Sequence, residues 1–191
     1  MTNERNLNLN RLKYSKLLLI TAIVFSIVFN HQFALLTENV FIMHLLGFLF
    51  VMVCILGRIY CTAFLGGYKA NSIIDYGPFS IVRNPLYIFS FSGVIGLSLM
   101  SNNMLIMLLA PLGFAAIYYP VIAREEAYLS KHFGEVYDNY CTKVNRVVPS
   151  FKNYKSKDQF VFSYKPFESA FKDSSIWILG TVIFYCLSVM I

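Results

Sequence analysis

The sequence has few charged residues. Asp, Glu, Lys and Arg make up 14% of its 191 residues, whereas a soluble domain carries about 25%. Hydrophobic residues make up 57% of the chain and aromatic residues 17%. This composition excludes an ordinary soluble domain and indicates an integral membrane protein. At roughly twenty residues for each span, the chain can hold about five spanning helices and little else.

The sequence also lacks the patterns of a disulfide framework or a metal site. None of its four cysteines belongs to a C-x-x-C motif, and its three histidines are scattered without metal-ligand spacing. We therefore interpret the cysteines as small buried hydrophobic residues and predict no metal. These residues are Cys54, Cys61, Cys141 and Cys186, and His31, His44 and His132.

No basic stripe interleaved with aromatic residues is present, although the net charge is +6. The basic residues flank apolar segments instead, where they set membrane topology and contact anionic headgroups. We therefore predict no nucleic-acid partner and expect membrane lipids around the protein. Because the sequence has neither an internal repeat nor a low-complexity segment, we interpret residues 1–191 as a single membrane domain.

A series of apolar segments is present instead. We predict spanning helices at 17–36, 40–65, 86–100, 104–123 and 174–191. No small-x-small cleavage site follows the first, which favours a span over a signal peptide. Ser101-Asn102-Asn103 predicts a tight turn and therefore a helical hairpin, with Pro111 and Pro120 kinking its second arm. Small residues in the first arm (Ser90, Ser92, Gly93 and Gly96) allow close helix approach.

The distribution of Lys and Arg predicts the orientation. The connections 37–39 and 101–103 contain neither residue. With a cytoplasmic N-terminus, all sixteen Lys and Arg lie on or near the cytoplasmic side, as the positive-inside rule requires. Two polar stretches, 71–87 and 124–149, then share the cytoplasmic face. The aromatic and basic tract 147–172 is expected to lie on the membrane surface.

The two polar stretches are the candidates for a site. Pro78 and Pro85 prevent a continuous helix through the first, and Gly77-Pro78 predicts a turn. In the second, Glu125 and Glu126 would point about 100° apart on a helix, so one can face the bundle and the other water. Carboxylates at a helix C-terminus oppose the macrodipole, which indicates an arginine or cation as a partner. The alternative is a solvated helix end.

Two arginines have alternative roles. Arg58 either snorkels to the membrane interface, which we expect, or faces the helix bundle. Arg146 either contacts lipid headgroups or binds a carboxylate or phosphate through its planar fork.

A family resemblance rests on both polar stretches. Residues 77–87 read GPFSIVRNPLY. The second stretch contains Glu125-Glu126, Leu129, Phe133-Gly134, Tyr137, Tyr140, Arg146 and Pro149. Together these residues resemble the GPY..vRHPxY and EE..L...FG..Y..Y.....R..P signatures of the isoprenylcysteine carboxyl methyltransferase family. The resemblance covers about residues 71–149, and related phospholipid N-methyltransferases share much of it.

The resemblance implies an all-α membrane enzyme with an S-adenosylmethionine (SAM) site at the cytoplasmic face and a lipophilic substrate that enters from the bilayer. It implies a set of cofactor contacts: Asn71, Ser72, Ile73, Ile74, Phe79, Asn84, Pro85, Leu86, Tyr87 and Glu125. It also implies an arginine that holds a substrate carboxylate. Arg124 is the nearest candidate and Arg146 the second.

Two residues depart from the family pattern, since Asn84 replaces the usual His and Phe79 the usual Tyr. Asn keeps a donor and an acceptor but cannot titrate. A carboxylate nucleophile, with an unperturbed pKa of about 4, needs no base. The chemistry therefore favours a carboxylate as the methyl acceptor, and the resemblance implies a prenylcysteine-like compound that carries it. An amine must lose a proton, and Glu126 would then be the base of an aminolipid N-methyltransferase. A non-catalytic protein that keeps the fold is the third alternative.

Overall fold

The computed structural model describes residues 39–65, 72–157 and 164–189, preceded by residues 17, 20–25 and 27–28. The regular elements in these ranges are helical, as predicted. They are α1 (Val40–Leu65), α2 (Pro78–Ile81), α3 (Pro85–Met100), α4 (Met104–Phe133), α5 (Glu135–Lys143) and α6 (Tyr164–Val189), with a 3-10 turn at Phe151–Asn153. The first predicted span lies mostly outside the described residues, and those of its residues that are described are helical.

Three of the described helices are long and apolar enough to cross a membrane. These segments are Val40–Leu65, Met104–Phe133 and Phe167–Val189, and Pro85–Met100 is a shorter apolar helix. Such a set is typical of a multi-pass membrane protein. The bounds of α1 agree with the predicted second span. The count of five spans stays a prediction.

The turn between α3 and α4 is confirmed. Asn102 has a φ of 48°, a backbone conformation that Asn tolerates better than most residues. The side-chain oxygen of Asn103 accepts hydrogen bonds from the backbone N–H groups of Leu105 at 3.1 Å and Ile106 at 3.2 Å. Asn103 thereby caps the N-terminus of α4.

Two helices are longer than predicted. α4 continues past residue 123 to Phe133, because residues 123–130 are mostly good helix formers without Gly or Pro. It ends at Gly134, whose φ is 54°. α6 begins at Tyr164, ten residues before the predicted start at residue 174. Glu125 and Glu126 therefore lie inside a helix, and the macrodipole argument made from the sequence does not apply to them.

The described residues form two compact units. The first unit comprises the described parts of Met1–Met52, Phe91–Val121 and Trp177–Ile191. Here α1 and α3 approach closely, since a Cβ on Gly96 would lie 2.5 Å from the carbonyl oxygen of Gly47. Ser92 Oγ donates to the carbonyl of Phe50 at 2.9 Å. The close approach predicted from small residues is confirmed at this contact.

The second unit comprises the described parts of Val53–Ser90 and Ile122–Ile176, and it contains the described parts of both polar stretches. Arg58 lies in this unit and contacts two other helices. Its Nη1 donates to Ser90 Oγ at 2.6 Å and its Nη2 lies 3.4 Å from Asp173 Oδ2. With 23% of its side chain exposed, Arg58 faces the helices of its unit. The expectation that it snorkels is wrong, because polar partners on α3 and α6 satisfy its charge.

Candidate active site

Glu126 is the centre of the candidate site. It lies on α4 and is only 6% exposed. Asn84 Nδ2 donates to its Oε1 at 2.9 Å, and Arg146 Nε donates to its Oε2 at 2.8 Å. Arg146 Nη2 forms an ion pair with the same Oε2 at 2.6 Å. Arg83 Nη1 lies 3.6 Å from the same Oε2. A buried carboxylate is tolerated when it is paired and hydrogen-bonded. Glu126 therefore has the arginine partner that was expected, although its position inside α4 means that the macrodipole is not the reason.

The turn between α2 and α3 positions Arg83 and Asn84. A residue that precedes a proline avoids helical backbone, so Pro85 starts a new helix and leaves Asn84 just outside it. The Asn84 carbonyl accepts the first bond of α3 from the N–H of Tyr87 at 3.2 Å. The Arg83 N–H donates to the carbonyl of Asn145 at 2.9 Å. This bond joins the two polar stretches, and it does so at Asn145, the residue before Arg146.

The Gly77-Pro78 turn is held by further bonds. Gly77 has a φ of 59°, and a Cβ at this position would lie 2.7 Å from the Phe64 ring, so only glycine fits without strain. Ser80 Oγ donates to the Gly77 carbonyl at 2.7 Å. The Tyr140 hydroxyl donates to the Phe79 carbonyl at 2.7 Å. Through its carbonyl, Phe79 fastens the turn to α5.

An aromatic cluster lies beside these bonds. Its buried members are Tyr137, Tyr140 and Val144, and Ile73, Leu129, Phe133 and Cys141 pack against them. Burial raises the pKa of both tyrosines well above the ordinary value, and the negative charge of Glu126 raises the pKa of Tyr137 further. At neutral pH their hydroxyl groups therefore stay protonated and act as hydrogen-bond donors rather than bases.

The guanidinium group of Arg83 is only partly satisfied by hydrogen bonds. Its Nη1 donates to Cys141 Sγ at 2.8 Å, and a thiol is a weak acceptor. Its Nε is buried and has no hydrogen-bond partner in the part of the chain that the structure describes. Among the described residues of this cluster, Arg83 and Arg146 are positively charged and Glu126 is negatively charged. The cluster therefore favours an additional anionic group.

Sequence reasoning did not assign Arg83 to the site. Arg83 immediately precedes Asn84 in the first polar stretch, so its place in the motif was the available signal. The buried state of Glu126 was the missing information, because a buried carboxylate needs charged and hydrogen-bonding neighbours. Cys141 was likewise interpreted only as a small hydrophobic residue.

The three consecutive charges on α4 have different surroundings. Arg124 is exposed, Glu125 is partly buried and Glu126 is buried, as the helical geometry predicted for the two acidic residues. Arg146, the second candidate for the substrate arginine, pairs with Glu126. Arg124 lies on the exposed side of α4.

The residues predicted to contact the cofactor also differ in how far they are buried. Ser72 is exposed and Pro85 is buried, whereas the other described ones are partly buried: Ile73, Ile74, Phe79, Asn84, Leu86, Tyr87 and Glu125. Asn71 lies outside the described residues. Asn84 contacts the Glu126 cluster and Ile73 the aromatic cluster. Within the described ranges, no three His, Cys, Asp or Glu side chains are grouped so that they could hold a metal ion.

Comparison with known proteins decides the family. The family model for phospholipid methyltransferases, PEMT, matches residues 40–136. The chain belongs to the phospholipid methyltransferase family. The region that matches this family contains both Asn84 and Glu126 and ends before Arg146.

The chain is also similar to three individual proteins. The nickel-cobalt-cadmium resistance protein NccN of Alcaligenes xylosoxydans xylosoxydans is 31% identical over 137 residues, 72% of the chain and 63% of NccN. The cobalt-zinc-cadmium resistance protein CzcN of Cupriavidus metallidurans is 30% identical over 135 residues, 71% of the chain and 62% of CzcN. The chain thus spans a little under two thirds of either protein.

The third relative is the protein-S-isoprenylcysteine O-methyltransferase of Schizosaccharomyces pombe. It is 31% identical over 81 residues, which are 42% of the chain and 34% of that enzyme. No solved structure matches the chain.

Proposed function

We propose that this protein is an integral membrane methyltransferase that uses SAM to methylate the carboxyl group of a lipophilic, prenylcysteine-like substrate. The observation that carries the proposal is the bonding of Glu126 to Asn84 and Arg146. It joins the two polar stretches into one charged site at the polar end of an apolar helix. Two motifs that are distant in sequence are therefore available to one reaction.

The residues around Glu126 fit a cofactor that carries a carboxylate and a cationic centre. Arg83 offers a buried Nε donor without a partner among the described residues, and the cluster has one positive charge in excess. Glu125, one position before Glu126, would supply a negative charge for the cofactor's ammonium or ribose hydroxyl groups. The remaining contacts would come from Asn71–Ile74, Phe79 and Asn84–Tyr87. When bound, SAM supplies an activated methyl group.

A carboxylate substrate suits the chemistry of this site. A carboxylate is already ionised at neutral pH, so catalysis needs alignment and exclusion of water rather than a base. Arg146 is 37% exposed and can orient such a group while it holds Glu126. Arg124, on the exposed side of α4, is the other candidate. Protonation of Glu126 during the reaction would break its ion pair with Arg146, which favours a positioning role for this carboxylate.

N-methylation of an aminolipid is the second candidate, and the family description favours it. Its amine would have to lose a proton, and Glu126 would be the base. A non-catalytic role is the third candidate, since Asn84 cannot titrate where the family motif has His. The names of NccN and CzcN state no chemical reaction, so these relatives support the family rather than one of the candidates.

We also propose that the chain spans the membrane about five times, with the N-terminus and the site on the cytoplasmic face. The excess of Lys and Arg around both polar stretches supports this orientation. A charged cofactor then arrives from the cytosol and a lipophilic substrate from the bilayer. The site lies where the two can meet.

The experiment that tests the function measures SAM binding by calorimetry on detergent-purified protein. We expect binding in the micromolar range that Glu125→Ala weakens at least tenfold, because an opposite charge in a partly buried site is lost. The matched control is Glu135→Ala, which removes an exposed carboxylate from the first turn of α5. If folded wild type does not bind SAM, the protein is not a SAM-dependent methyltransferase.

A second measurement separates the candidate reactions. The protein is incubated with radiolabelled SAM and either a prenylcysteine or an aminophospholipid, and the product is treated with alkali. A carboxyl methyl ester releases volatile methanol, whereas an N-methyl group stays on the lipid. Label that resists alkali would contradict carboxyl methylation and support the aminolipid. SAM binding without any transfer would support the non-catalytic alternative.

A further inference from the structure

Residues 144–157 follow α5 and form a segment that we call the strap. All residues from 151 to 157 are exposed. The exposed side chains of the strap include the apolar ones of Val147, Val148 and Phe151, which are exposed by 55%, 68% and 76%. Neighbouring apolar side chains that are exposed in this way indicate a surface that contacts another apolar phase.

The strap is basic as well as apolar. It contains Arg146, Lys152, Lys155 and Lys157, and no acidic residue occurs between Asp138 and Asp158. Apolar residues mixed with basic ones are typical of segments that lie in the headgroup region of a membrane. Near an anionic surface, each basic side chain strengthens binding about fivefold. The charge therefore favours an anionic lipid surface over a neutral one.

The strap is attached to both ends of α2. The carbonyl of Lys155 accepts a hydrogen bond from the N–H of Gly77 at 2.9 Å, and the N–H of Lys155 donates to Ser80 Oγ at 3.0 Å. The N–H of Ser150 donates to the carbonyl of Ile81 at 2.9 Å. These bonds use backbone groups, so they depend on the path of the strap more than on its side chains.

Two side-chain contacts reinforce this attachment. Lys155 Nζ forms an ion pair with Asp75 Oδ2 at 2.6 Å. Lys157 Nζ lies 4.6 Å from the centre of the Tyr76 ring, within the range of a cation–π contact. The segment 72–82, which includes α2, is therefore covered by the strap along most of its length.

We propose that the strap binds the anionic headgroup layer of the membrane and thereby holds segment 72–82 in place. Val147, Val148 and Phe151 enter the interface, and Lys152 contacts lipid phosphate groups. Lys155 and Lys157 add to the positive field while they keep their contacts with Asp75 and Tyr76. The proposal concerns a binding surface, and it does not require that the protein transfers a methyl group.

The test uses the full chain in lipid nanodiscs of phosphatidylcholine, with or without phosphatidylglycerol. Hydrogen exchange is measured on peptides that contain Gly77 and Ser150, because the N–H groups of these residues form hydrogen bonds between segment 72–82 and the strap. We expect anionic lipid to slow exchange at both positions about fivefold. High salt should remove the difference, since it screens exposed charges. Equal exchange in both kinds of nanodisc overturns the proposal.

Matched variants decide whether the strap causes the slower hydrogen exchange in anionic lipid. Lys152→Glu and Phe151→Asp alter exposed strap residues, so both proteins should fold. Each should abolish the effect of anionic lipid. Lys131→Glu makes the same charge change at an exposed position on α4 and should leave the effect intact. If Lys131→Glu is as damaging as Lys152→Glu, the surface is not the strap.

Direct contact is tested by fluorescence. Phe151→Trp is placed in a Trp177→Phe background, which removes the natural tryptophan. Brominated lipid in anionic nanodiscs should quench its emission. Absence of quenching would show that the strap does not enter the bilayer. Emission that changes only with the number of proteins in each nanodisc would identify a second copy of the chain as the occupant, and either result overturns the proposal.

Discussion

At the scale of single residues, the stability of the site depends on the partners of Glu126. A buried carboxylate that loses a charged partner retains its desolvation penalty without the compensating attraction. Arg146 is the strongest of these partners because it combines a hydrogen bond from Nε with an ion-pair contact from Nη2 at 2.6 Å. Asn84 holds the other oxygen. Arg83, at 3.6 Å, contributes charge rather than a direct bond.

We expect Arg146→Ala to lower the free energy of unfolding by about 2 to 3 kcal/mol, because a charge-assisted bond to a buried group is lost. Arg146→Lys should restore part of the loss, since an ammonium supplies charge but not the planar fork. The measurement is unfolding of the detergent-purified protein with increasing SDS. Lys143→Ala, at an exposed position in α5, is the control. Arg146→Ala would have to be clearly less stable than this control.

The identity of residue 84 should distinguish a supporting role from a titrating one. Asn84→His keeps a nitrogen donor and should retain or raise the methyl-transfer rate. Asn84→Asp places a second carboxylate 2.9 Å from Glu126 Oε1 and should lower the rate at least tenfold through like-charge repulsion. The measurement is transfer of label from SAM by both variants and wild type. A large loss in Asn84→His would instead show that the site has repacked around Asn.

The sequence predicted part of this site. It identified Asn84, Glu126 and Arg146, because motif spacing preserves the identity of residues that work together. It offered Arg124 and Arg146 as alternatives for holding a substrate carboxylate, and it could not choose which arginine pairs with Glu126. That choice depends on the chain path after α5, where the Arg83 N–H bonds to the carbonyl of Asn145. A long-range backbone bond of this kind leaves no local pattern in the sequence.

At the scale of helices, close packing depends on missing side chains. A Cβ on Gly96 would meet backbone atoms of Gly47 at 2.5 Å and of Val51 at 2.9 Å. Backbone atoms cannot rotate away as a side chain can. Membrane helices gain little from the hydrophobic effect between them, so such close contacts supply much of their association.

We expect Gly96→Ala to destabilise the protein by about 2 to 3 kcal/mol, as overpacking against backbone does. Gly180→Ala is a matched control, because its Cβ would meet only the end of the Leu97 side chain at 3.2 Å. That flexible side chain can move by a few tenths of an ångström. The measurement is again unfolding in SDS. If both variants are equally stable, α1 and α3 leave room for a methyl group at Gly96, and the close approach is contradicted.

Helix positions were predicted better than helix ends. The apolar core of α1 and the hairpin turn at residues 101–103 agreed with the structure because hydropathy and Asn capping are local signals. The polar start of α6 was missed, and the predicted span in α4 ended at residue 123 although Glu125 and Glu126 were expected on a helix, since a rule based on membrane spans ends a helix where charges begin. Helix propensity does not stop there, and α4 continues until Gly134 adopts a positive φ.

At the scale of the whole molecule, the distribution of basic residues predicts that the two ends of α4 face opposite sides of the membrane. Met104→Cys and Lys131→Cys each place a thiol at an exposed position, after the partly buried Cys141 and the exposed Cys186 are changed to Ser. In intact spheroplasts, an impermeant maleimide should label Met104→Cys only. Lys131→Cys should react after lysis. The reverse pattern would place the site on the outer face.

The strap also has a consequence for the folding of the protein during its synthesis. Lys155 pairs with Asp75 across 80 positions of the chain. At a synthesis rate of about 5 to 20 residues per second, roughly 4 to 16 s separate the emergence of the two partners from the ribosome. By the end of that interval α1, α3 and α4 have been made, but the turn at Gly77 has not yet formed its hydrogen bond with Lys155. A nascent chain released before Lys155 therefore carries these apolar helices into the membrane with an unfinished site.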